Sequence, residues 1–193
     1  MSELTELTLY LFRHGQTQWS VSGQHTGRTD IALTDHGRDQ ARMLGGIVSQ
    51  VSFSAVLVSP LSRARETATL AGLGKQMTVC DDLAEFNYGD YEGLTTTQIR
   101  ENVPGWTLWT HPCPGGETLP QAQARCQQVI ATAGGAGGNV ALIAHGHILR
   151  ILAVTWLNLP AIDGKNLMLD TGTLSVLSHE HETHAIKMWN GKL

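Results

Sequence analysis

Short apolar runs alternate with longer amphipathic segments along the chain. Three of the runs, Leu7–Phe12, Ala55–Val58 and Val140–Ala144, are short and mostly apolar, as is typical of strands that a sheet buries on both faces. Met77–Cys80 is a weaker strand candidate. Because helical patterns lie between these runs, the sequence predicts an α/β fold with a doubly wound, mostly parallel sheet and helices on both of its faces.

Capping residues and apolar spacing predict the helices. Thr34 is a suitable N-cap for one long helix, and Pro60 is a suitable opening residue for another. Four of the five residues in Gly134–Gly138 are glycine, which predicts a flexible turn. The predicted helices cover Asp35–Val51, a segment from Pro60 to about Gly72, Thr95–Glu101, Leu119–Ala133 and Ile148–Leu157.

The C-terminal part of the chain has a different pattern. Leu174–Leu177 and His184–Trp189 predict a hairpin with its tip at Ser178–Thr183, which forms an antiparallel edge of the sheet. Asp81–Gly93 and Gly105–Gly116 predict loops, the second of them packed over a site. No repeat or linker interrupts the pattern, so we expect the 193 residues to form a single domain.

Composition narrows the class of protein. Hydrophobic residues make up 41% and charged residues 16%, and the net charge of -4 provides no basic surface for nucleic acid or a membrane. The three cysteines form no CxxC pair, which favours reduced thiols but leaves a Cys113–Cys126 disulfide open. Since the first residues lack a basic signal-peptide region and no apolar run reaches the ~20 residues of a membrane span, we expect a cytoplasmic location.

Residues suited to phosphate chemistry follow the three apolar runs. Because the carboxyl ends of parallel strands meet at the ligand-binding edge of such a sheet, we expect these side chains to share one crevice. Two imidazoles and two guanidiniums in one crevice suit a phosphate ester. The residues are Arg13, His14 and Gly15 after the first run, Arg63 just beyond the second, and His145 and Gly146 after the third.

Each of these residue types suggests a role. A neutral His14 is a competent nucleophile toward phosphorus, and Gly15 lets the backbone turn close to a phosphoryl group. Arg13 and Arg63 supply planar donors for bidentate contacts with phosphate oxygens. A protonated His145 adds a further donor as charge builds on those oxygens.

Ester cleavage also needs a proton for the leaving oxygen. A carboxylic acid can give that proton and then take one from the attacking water. Glu85, between apolar neighbours, is the first candidate, and Asp81, Asp82, Asp90 and Glu92 compete with it. The residue types alone favour Glu85 only slightly.

The histidines do not predict a metal site. His145 and His147 have no evident third ligand, and the nearby arginines would repel a cation. His147 is better explained as a helix-start residue that lines the pocket. The histidines at 179, 181 and 184 miss the H-E-x-x-H pattern and are expected at a solvated hairpin tip, open to adventitious metal. We therefore expect neither a metal nor another cofactor.

Four segments together resemble the signatures of the histidine phosphatase superfamily, whose fold is phosphoglycerate-mutase-like. They are the Arg-His-Gly of residues 13–15, the Ser-x-x-x-Arg-Ala of residues 59–64, the acid loop of residues 83–93 and the Ala-His-Gly of residues 144–146. All four occur in the family's order. The resemblance implies that His14 is the phosphorylated nucleophile.

The resemblance also implies roles for the remaining site residues. Arg13, Arg63 and His145 would complete the phosphate pocket, and Glu85 would be the proton donor. Substrate contacts are implied at Ser20, where many members have asparagine, and at Thr26, Gly27, Tyr88 and Gly146.

Three further stretches narrow the resemblance. Residues 23–30, 88–94 and 106–118 are similar to a branch of small phosphatases that includes fungal sedoheptulose-bisphosphatase-like enzymes and mycobacterial acid phosphatases. Mutases of the superfamily carry a longer, more basic insert after the acid loop, whereas Leu94–Leu119 offers only Arg100 as a fixed cation. This difference favours hydrolysis over mutase activity.

The sequence therefore predicts a metal-independent phosphomonoester hydrolase that acts through a phosphohistidine intermediate. The expected partner is a small phosphorylated substrate, a phosphosugar or a phosphoglycerate-like acid, with no nucleic acid and no membrane. A cofactor-dependent phosphoglycerate mutase and a catalytically silent phospho-ligand binding protein are the alternatives. The chain is expected to be a monomer or a homodimer.

Overall fold

The computed structural model describes residues 6–192, so both ends of the predicted domain, 1–193, lie outside the described residues. Its strands form one six-stranded sheet in the order β3-β2-β4-β1-β5-β6. The first four strands are parallel, while β5 pairs antiparallel with β1 and β6 antiparallel with β5. The strands are β1 (Thr8–Arg13), β2 (Ala55–Val58), β3 (Met77–Val79), β4 (Asn139–Ala144), β5 (Leu174–Glu180) and β6 (Thr183–Gly191).

The helices follow the predicted pattern with several differences. The third begins at Ser62 rather than Pro60, and the last begins at Gly146 rather than Ile148. The first helix is a short turn that the apolar pattern did not reveal, and the second ends at Val48 instead of Val51. The fifth continues through Gly134 and Gly135, so the prediction of a flexible turn across Gly134–Gly138 is wrong for its first three residues. The helices are α1 (Gln18–Ser22), α2 (Asp35–Val48), α3 (Ser62–Leu70), α4 (Thr96–Asn102), α5 (Leu119–Ala136) and α6 (Gly146–Trp156).

Alternate residues of the strands feed two hydrophobic cores. Leu9 and Leu11 of β1 pack on one face with α5 and α6, while Phe12 packs on the other face with α2 and α3. Complete burial of a leucine or phenylalanine side chain contributes roughly 1.5–3 kcal/mol. The predicted α/β fold with a doubly wound, mostly parallel sheet and an antiparallel edge is thereby confirmed.

The C-terminal hairpin is tighter than predicted. Because β5 runs to Glu180 and β6 starts at Thr183, the tip is shorter than the predicted Ser178–Thr183. His179 and His184 are not solvated tip residues: the ring of His184 stacks on Trp156 with centroids 3.9 Å apart, and His179 packs against the same ring at 5.0 Å. Across residues 6–192, no group of three or more histidine, cysteine, aspartate or glutamate side chains is arranged to hold a metal ion.

The structure also addresses the possible disulfide and the possibility of a membrane-spanning helix. All three thiols are free, so the Cys113–Cys126 disulfide that the sequence left open is not formed. Among the helices of the described chain, none combines the length and the apolar character that crossing a bilayer requires.

Candidate active site

The carboxyl ends of β1 and β4 meet at a cavity of about 200 Å³, and β2 is the next strand of the sheet beside β4. Seven of the ten predicted site residues line this cavity, whereas Arg63, His145 and Gly27 do not. The lining residues with chemistry to offer are Arg13, His14, Ser20, Thr26, Glu85, Tyr88, His147 and Arg150, together with Gly146.

His14, directly after β1, is held in one orientation. Its Nδ1 lies 2.7 Å from the Gly15 carbonyl oxygen, which can only accept, so Nδ1 carries the proton and donates. Burial and the neighbouring guanidiniums of Arg63 and Arg13 place the pKa of His14 well below its usual value. The neutral ring therefore keeps a lone pair on Nε2, and no hydrogen bond within residues 6–192 engages that atom. This arrangement fits an imidazole nucleophile.

Arg13 lies half-buried beside His14. Its Nη1 donates to the Leu169 carbonyl, while its buried Nε has no hydrogen-bond partner within the described chain. A buried donor without a partner is unfavourable unless a ligand supplies the acceptor. Burial also lowers the pKa of Arg13, although Glu85 and Tyr88 act in the opposite direction. Arg13 lines the cavity, so the remaining donors of its guanidinium are well suited to phosphate oxygens.

Two glycines allow close packing beside the cavity: Gly15 packs against the backbone of α2, and Gly146 packs against the Arg13 side chain. A Cβ on Gly15 would lie 2.1 Å from the Gly37 carbonyl oxygen at the start of α2. A Cβ on Gly146 would lie 3.2 Å from Arg13 Cζ. Since neither neighbour is free to move far, the predicted Gly15 and Gly146 serve close packing around the phosphate end of the cavity.

Arg63, in the first turn of α3, is fully buried and bonded to the protein. It donates to the carbonyls of Thr29, Thr26 and Gly27 at 2.9, 3.3 and 3.0 Å and through Nε to His145 Nδ1 at 3.1 Å. Four of its five N–H groups are therefore committed. In this structure Arg63 supports the loop around Gly27 and the ring of His145, so the predicted bidentate phosphate contact would require it to exchange partners.

His145, at the end of β4, is neutral in this structure. Because Arg63 donates to Nδ1, the proton resides on Nε2, which donates to Ser59 Oγ at 2.7 Å. Burial and the charges of Arg63 and Arg13 set the pKa of His145 well below its usual value. The predicted protonated donor would lose the Arg63 hydrogen bond, so that role stays a prediction for a phosphate-bound state.

Glu85 is the one carboxylate of the five candidates that lines the cavity. Its Oε1 accepts from the backbone N–H groups of Phe86 and Ile148, each at 2.9 Å, and its Oε2 from that of His147 at 3.0 Å. The last two N–H groups belong to the first turn of α6, whose unpaired donors suit a carboxylate. Arg125 fixes the same loop by donating to the Ala84 carbonyl at 3.0 Å.

The other predicted contact residues occupy different positions. Tyr88 is buried and its hydroxyl lies 2.6 Å from His147 Nδ1. Thr26 lines the cavity, whereas Gly27 lies behind it in the loop that Arg63 holds. The hydroxyl of Ser20 donates to the Thr17 carbonyl at 2.8 Å and completes the N-terminal cap of α1, so it is already engaged.

The sequence did not reveal the part that Glu92 plays. Its carboxylate accepts from the backbone N–H groups of Gly27, Arg28 and Thr29 at 3.1, 3.1 and 2.5 Å. The carbonyls of the same turn accept from Arg63. Glu92 and Arg63 thus hold the turn from opposite sides. This role of Glu92 could not be predicted because the sequence does not show that residues 23–30 and 88–94 lie next to each other.

Replacing Glu92 by glutamine should disturb this turn. One oxygen becomes an amide that faces a backbone donor, so we expect the free energy of unfolding to fall by about 1–3 kcal/mol and kcat/KM to fall roughly tenfold as Arg63 shifts. Thermal melting and phosphate-release kinetics measure both effects. Glu101→Gln, at an exposed position of α4, is the matched control. An unchanged melting temperature and rate would show that the turn does not depend on Glu92.

Comparison with known proteins decides the family. The sequence model of the "Histidine phosphatase superfamily (branch 1)" matches residues 9–192. The chain belongs to this superfamily. The resemblance drawn from the four signatures is confirmed.

The relatives of this histidine phosphatase include hydrolases and mutases. An acid phosphatase of Mycobacterium tuberculosis is 41% identical over 90% of this chain and 87% of its own. A sedoheptulose 1,7-bisphosphatase of Saccharomyces cerevisiae is 34% identical, with 77% and 67% covered. A 2,3-bisphosphoglycerate-dependent phosphoglycerate mutase of Gloeobacter violaceus is also 34% identical, with 75% and 73% covered.

A solved structure agrees with the fold. The product of an open reading frame of Mycobacterium tuberculosis is 38% identical and superposes with a TM-score of 0.91, over 96% of this chain and 97% of that one. The named relatives confirm the predicted resemblance to the small phosphatase branch, and this structure confirms the shared fold.

Proposed function

We propose that this protein hydrolyses phosphomonoesters of small polar alcohols through a phosphohistidine intermediate. The observation that carries the proposal is the state of His14: its ring is neutral, Nδ1 donates to Gly15, and Nε2 has no hydrogen bond within residues 6–192. The cavity that His14 lines is also lined by Arg13. A nucleophile and an anion-binding donor at one end of a cavity are what phosphoryl transfer needs. The phosphatase names among the relatives support the same reaction.

In the first step the Nε2 lone pair of His14 attacks phosphorus in line with the ester oxygen. The N–P bond forms while the P–O bond to the alcohol breaks. Glu85, entering as the carboxylic acid, gives its proton to the departing oxygen, and the alcohol leaves. Arg13 stabilises the charge on the phosphoryl oxygens, and Arg63 keeps His145 and the Gly27 turn in place behind them.

The second step reverses these roles with water. Glu85, now a carboxylate, takes a proton from a water molecule whose oxygen attacks the phosphorus. The N–P bond breaks, its electron pair returns to His14 Nε2, and inorganic phosphate leaves. Glu85 is again the acid and the ring of His14 is neutral, so the cycle closes without a cofactor.

Hydrolysis is favoured over the mutase alternative by the distribution of charge. The fixed cations lining the cavity are Arg13 and Arg150. Arg100, the single fixed cation of the segment after the acid loop, is exposed and donates to the Trp106 carbonyl at 2.9 Å. A mutase must retain a bisphosphate while it reorients, and this cavity offers few contacts for that. Interconversion of 3- and 2-phosphoglycerate with a bisphosphate primer would identify mutase activity directly.

The proposal extends to the substrate class, the cellular location and the oligomeric state. The substrate is a phosphosugar or a phosphoglycerate-like acid, and the yeast relative, named as a sedoheptulose 1,7-bisphosphatase, supports a phosphosugar. We expect a cytoplasmic monomer or homodimer that engages neither nucleic acid nor a membrane.

The proposal is tested by phosphate release in the presence of EDTA from a panel of phosphosugars, phosphoglycerates and p-nitrophenyl phosphate. We expect release to survive EDTA, and rapid quenching to trap a phosphoenzyme that is labile in acid and stable in base. Binding of a phosphorylated ligand without release of phosphate would instead support the silent binding protein. Release that requires an added divalent metal would contradict the mechanism.

A further inference from the structure

The stretch of chain that carries Glu85 has no regular secondary structure of its own. Residues 84–88 lie between two 3₁₀ turns, Asp81–Leu83 and Gly89–Tyr91, and belong to no helix or strand. The carboxylate is bonded to the first turn of α6, but the backbone on either side of it must be held as well. A displacement of about 1 Å is enough to slow a reaction that depends on the placement of one catalytic group.

Two side chains outside the cavity, those of Glu117 and Arg125, hold this stretch from both ends. Arg125 Nη1 donates to the carbonyls of Asp82 and Ala84, which precede the acid. Glu117 Oε1 accepts from the Asn87 N–H at 2.7 Å, and the Glu117 N–H donates to the Asn87 carbonyl at 3.0 Å. Neither side chain is among those that line the cavity, so both act on the acid through its backbone.

Glu117 and Arg125 also bond to each other in a two-pronged ion pair. Arg125 Nη2 donates to Glu117 Oε1 at 2.7 Å, and Arg125 Nε donates to Oε2 at 3.1 Å. The side chains of Arg125 and Glu117 are only 17% and 11% exposed. Two parallel hydrogen bonds from a planar guanidinium fix the orientation of the carboxylate as well as its distance. Because Arg125 is on α5, the pair fastens the stretch that carries the acid to that helix.

We infer that Glu117 and Arg125 are positioning residues, whose ion pair keeps Glu85 within reach of the departing oxygen. This inference rests on the proposed function, because only that reaction needs a proton there. The phosphate end of the cavity is held separately: Arg13 ends β1 and His14 follows it, and no hydrogen bond within residues 6–192 joins either of them to the pair. Loss of the pair should therefore impair proton transfer and leave the attack on phosphorus intact.

Replacing Arg125 by methionine keeps a long side chain and removes its charge and its donors. For glucose 6-phosphate or 3-phosphoglycerate, whichever alkyl ester the protein hydrolyses faster, we expect kcat to fall at least about thirtyfold. The first turnover of p-nitrophenyl phosphate, whose leaving group needs no proton, should slow less than about threefold. Rapid-mixing measurements of phosphate and of nitrophenolate give the two rates. Equal losses for both esters would reduce the pair to a structural role and overturn the inference.

A combined variant shows whether Arg125 acts through Glu85. In Glu85→Gln the group to be positioned is absent, so adding Arg125→Met should lower the remaining turnover of the alkyl ester less than about threefold. A further loss as large as that of Arg125→Met alone would mean that the two residues contribute independently. That result would contradict a role of Arg125 in positioning the acid.

A second ion pair provides the matched control. Arg38 Nε donates to Glu66 Oε1 at 2.7 Å and joins α2 to α3, and no hydrogen bond of the described residues links this pair to the acid loop. Arg38→Met should leave the ratio of the alkyl to the aryl rate unchanged. A selective loss of alkyl ester hydrolysis in this variant would show that the ratio reports a general loosening of the fold, and the inference would fail.

Glu117→Gln carries the same test if thermal melting shows that Arg125→Met does not fold. The amide of glutamine faces the Arg125 guanidinium, which weakens the pair, while its oxygen remains available to the Asn87 N–H. We expect the same selective loss of alkyl ester hydrolysis, and an equal loss for both esters would again overturn the inference.

The unmodified protein distinguishes failure of the inference from failure of the proposed function. Release from both esters by the unmodified protein, followed by equal losses in Arg125→Met, overturns the positioning role and leaves the phosphatase intact. Absence of release from every ester, p-nitrophenyl phosphate included, overturns both.

Discussion

The His14→Ala variant is expected to lose phosphate release by at least about 10⁴-fold, to the background of the assay. The other histidines in or near the cavity are poorly placed to replace it: His147 Nδ1 is bonded to Tyr88 and His25 Nε2 to Thr96. Both ring nitrogens of His145, behind the cavity, are bonded to protein. Loss of the His14 hydrogen bond to Gly15 costs stability of only about 1 kcal/mol, so the variant should remain folded. Steady-state release and phosphoenzyme trapping are the measurements.

A surface histidine provides the control for this prediction. His36 is exposed at the start of α2, and His36→Ala should leave both the rate and the trapped phosphoenzyme unchanged. Thermal melting of the His14 variant shows whether its fold is intact. If a folded His14→Ala protein retained a tenth of the activity in EDTA, or still formed a phosphoenzyme, another residue would be the nucleophile.

The phosphate end of the site was largely predictable because it depends on local order in the chain. Each of β1, β2 and β4 delivers its polar residues immediately after an apolar run. Parallel strands must present their carboxyl ends at one edge, so the sheet brings His14, Arg63 and His145 together wherever the helices pack. For the same reason the mostly parallel sheet followed from the spacing of apolar runs.

Residues that act across long stretches of sequence were not predictable in this way. Glu92, for example, contacts a turn more than sixty residues away. The pattern of apolar positions says nothing about which loop faces which. The continuation of α5 through Gly134 and Gly135 has a related cause: the low helix propensity of glycine is offset by the hydrogen bonds that already extend the helix, up to the one from the Gly137 N–H to Ala133.

The choice of acid depended on tertiary structure. Glu85 and its rivals are all carboxylates in one polar segment, and residue type does not rank them. The structure separates them by environment: Glu85 is bonded to the first turn of α6, Glu92 is committed to the Gly27 turn, and Asp81 and Asp90 are exposed. Of these carboxylates, only Glu85 lines the cavity, where a departing alcohol needs a proton.

Replacing Glu85 by glutamine is expected to lower kcat about 10²–10⁴-fold for alkyl phosphates, because the alkoxide then leaves without a proton. The aryl ester p-nitrophenyl phosphate should behave differently. Its leaving group needs no proton, so the first step stays fast, whereas the second step still lacks the base that activates water. We expect the variant to release about one equivalent of nitrophenolate in a burst and then to turn over slowly.

The comparison between the two substrates also separates chemistry from structure. Glutamine places an amide against the backbone donors of α6 that Glu85 now accepts from, so some loss of stability is expected in Glu85→Gln whatever its role. A loosened helix would slow alkyl and aryl esters alike and would give no burst. A burst, together with a phosphoenzyme that accumulates on quenching, requires that His14 is phosphorylated normally and that Glu85 acts in removing the phosphoryl group. Equal loss without a burst would leave Glu85 only as an anchor for α6.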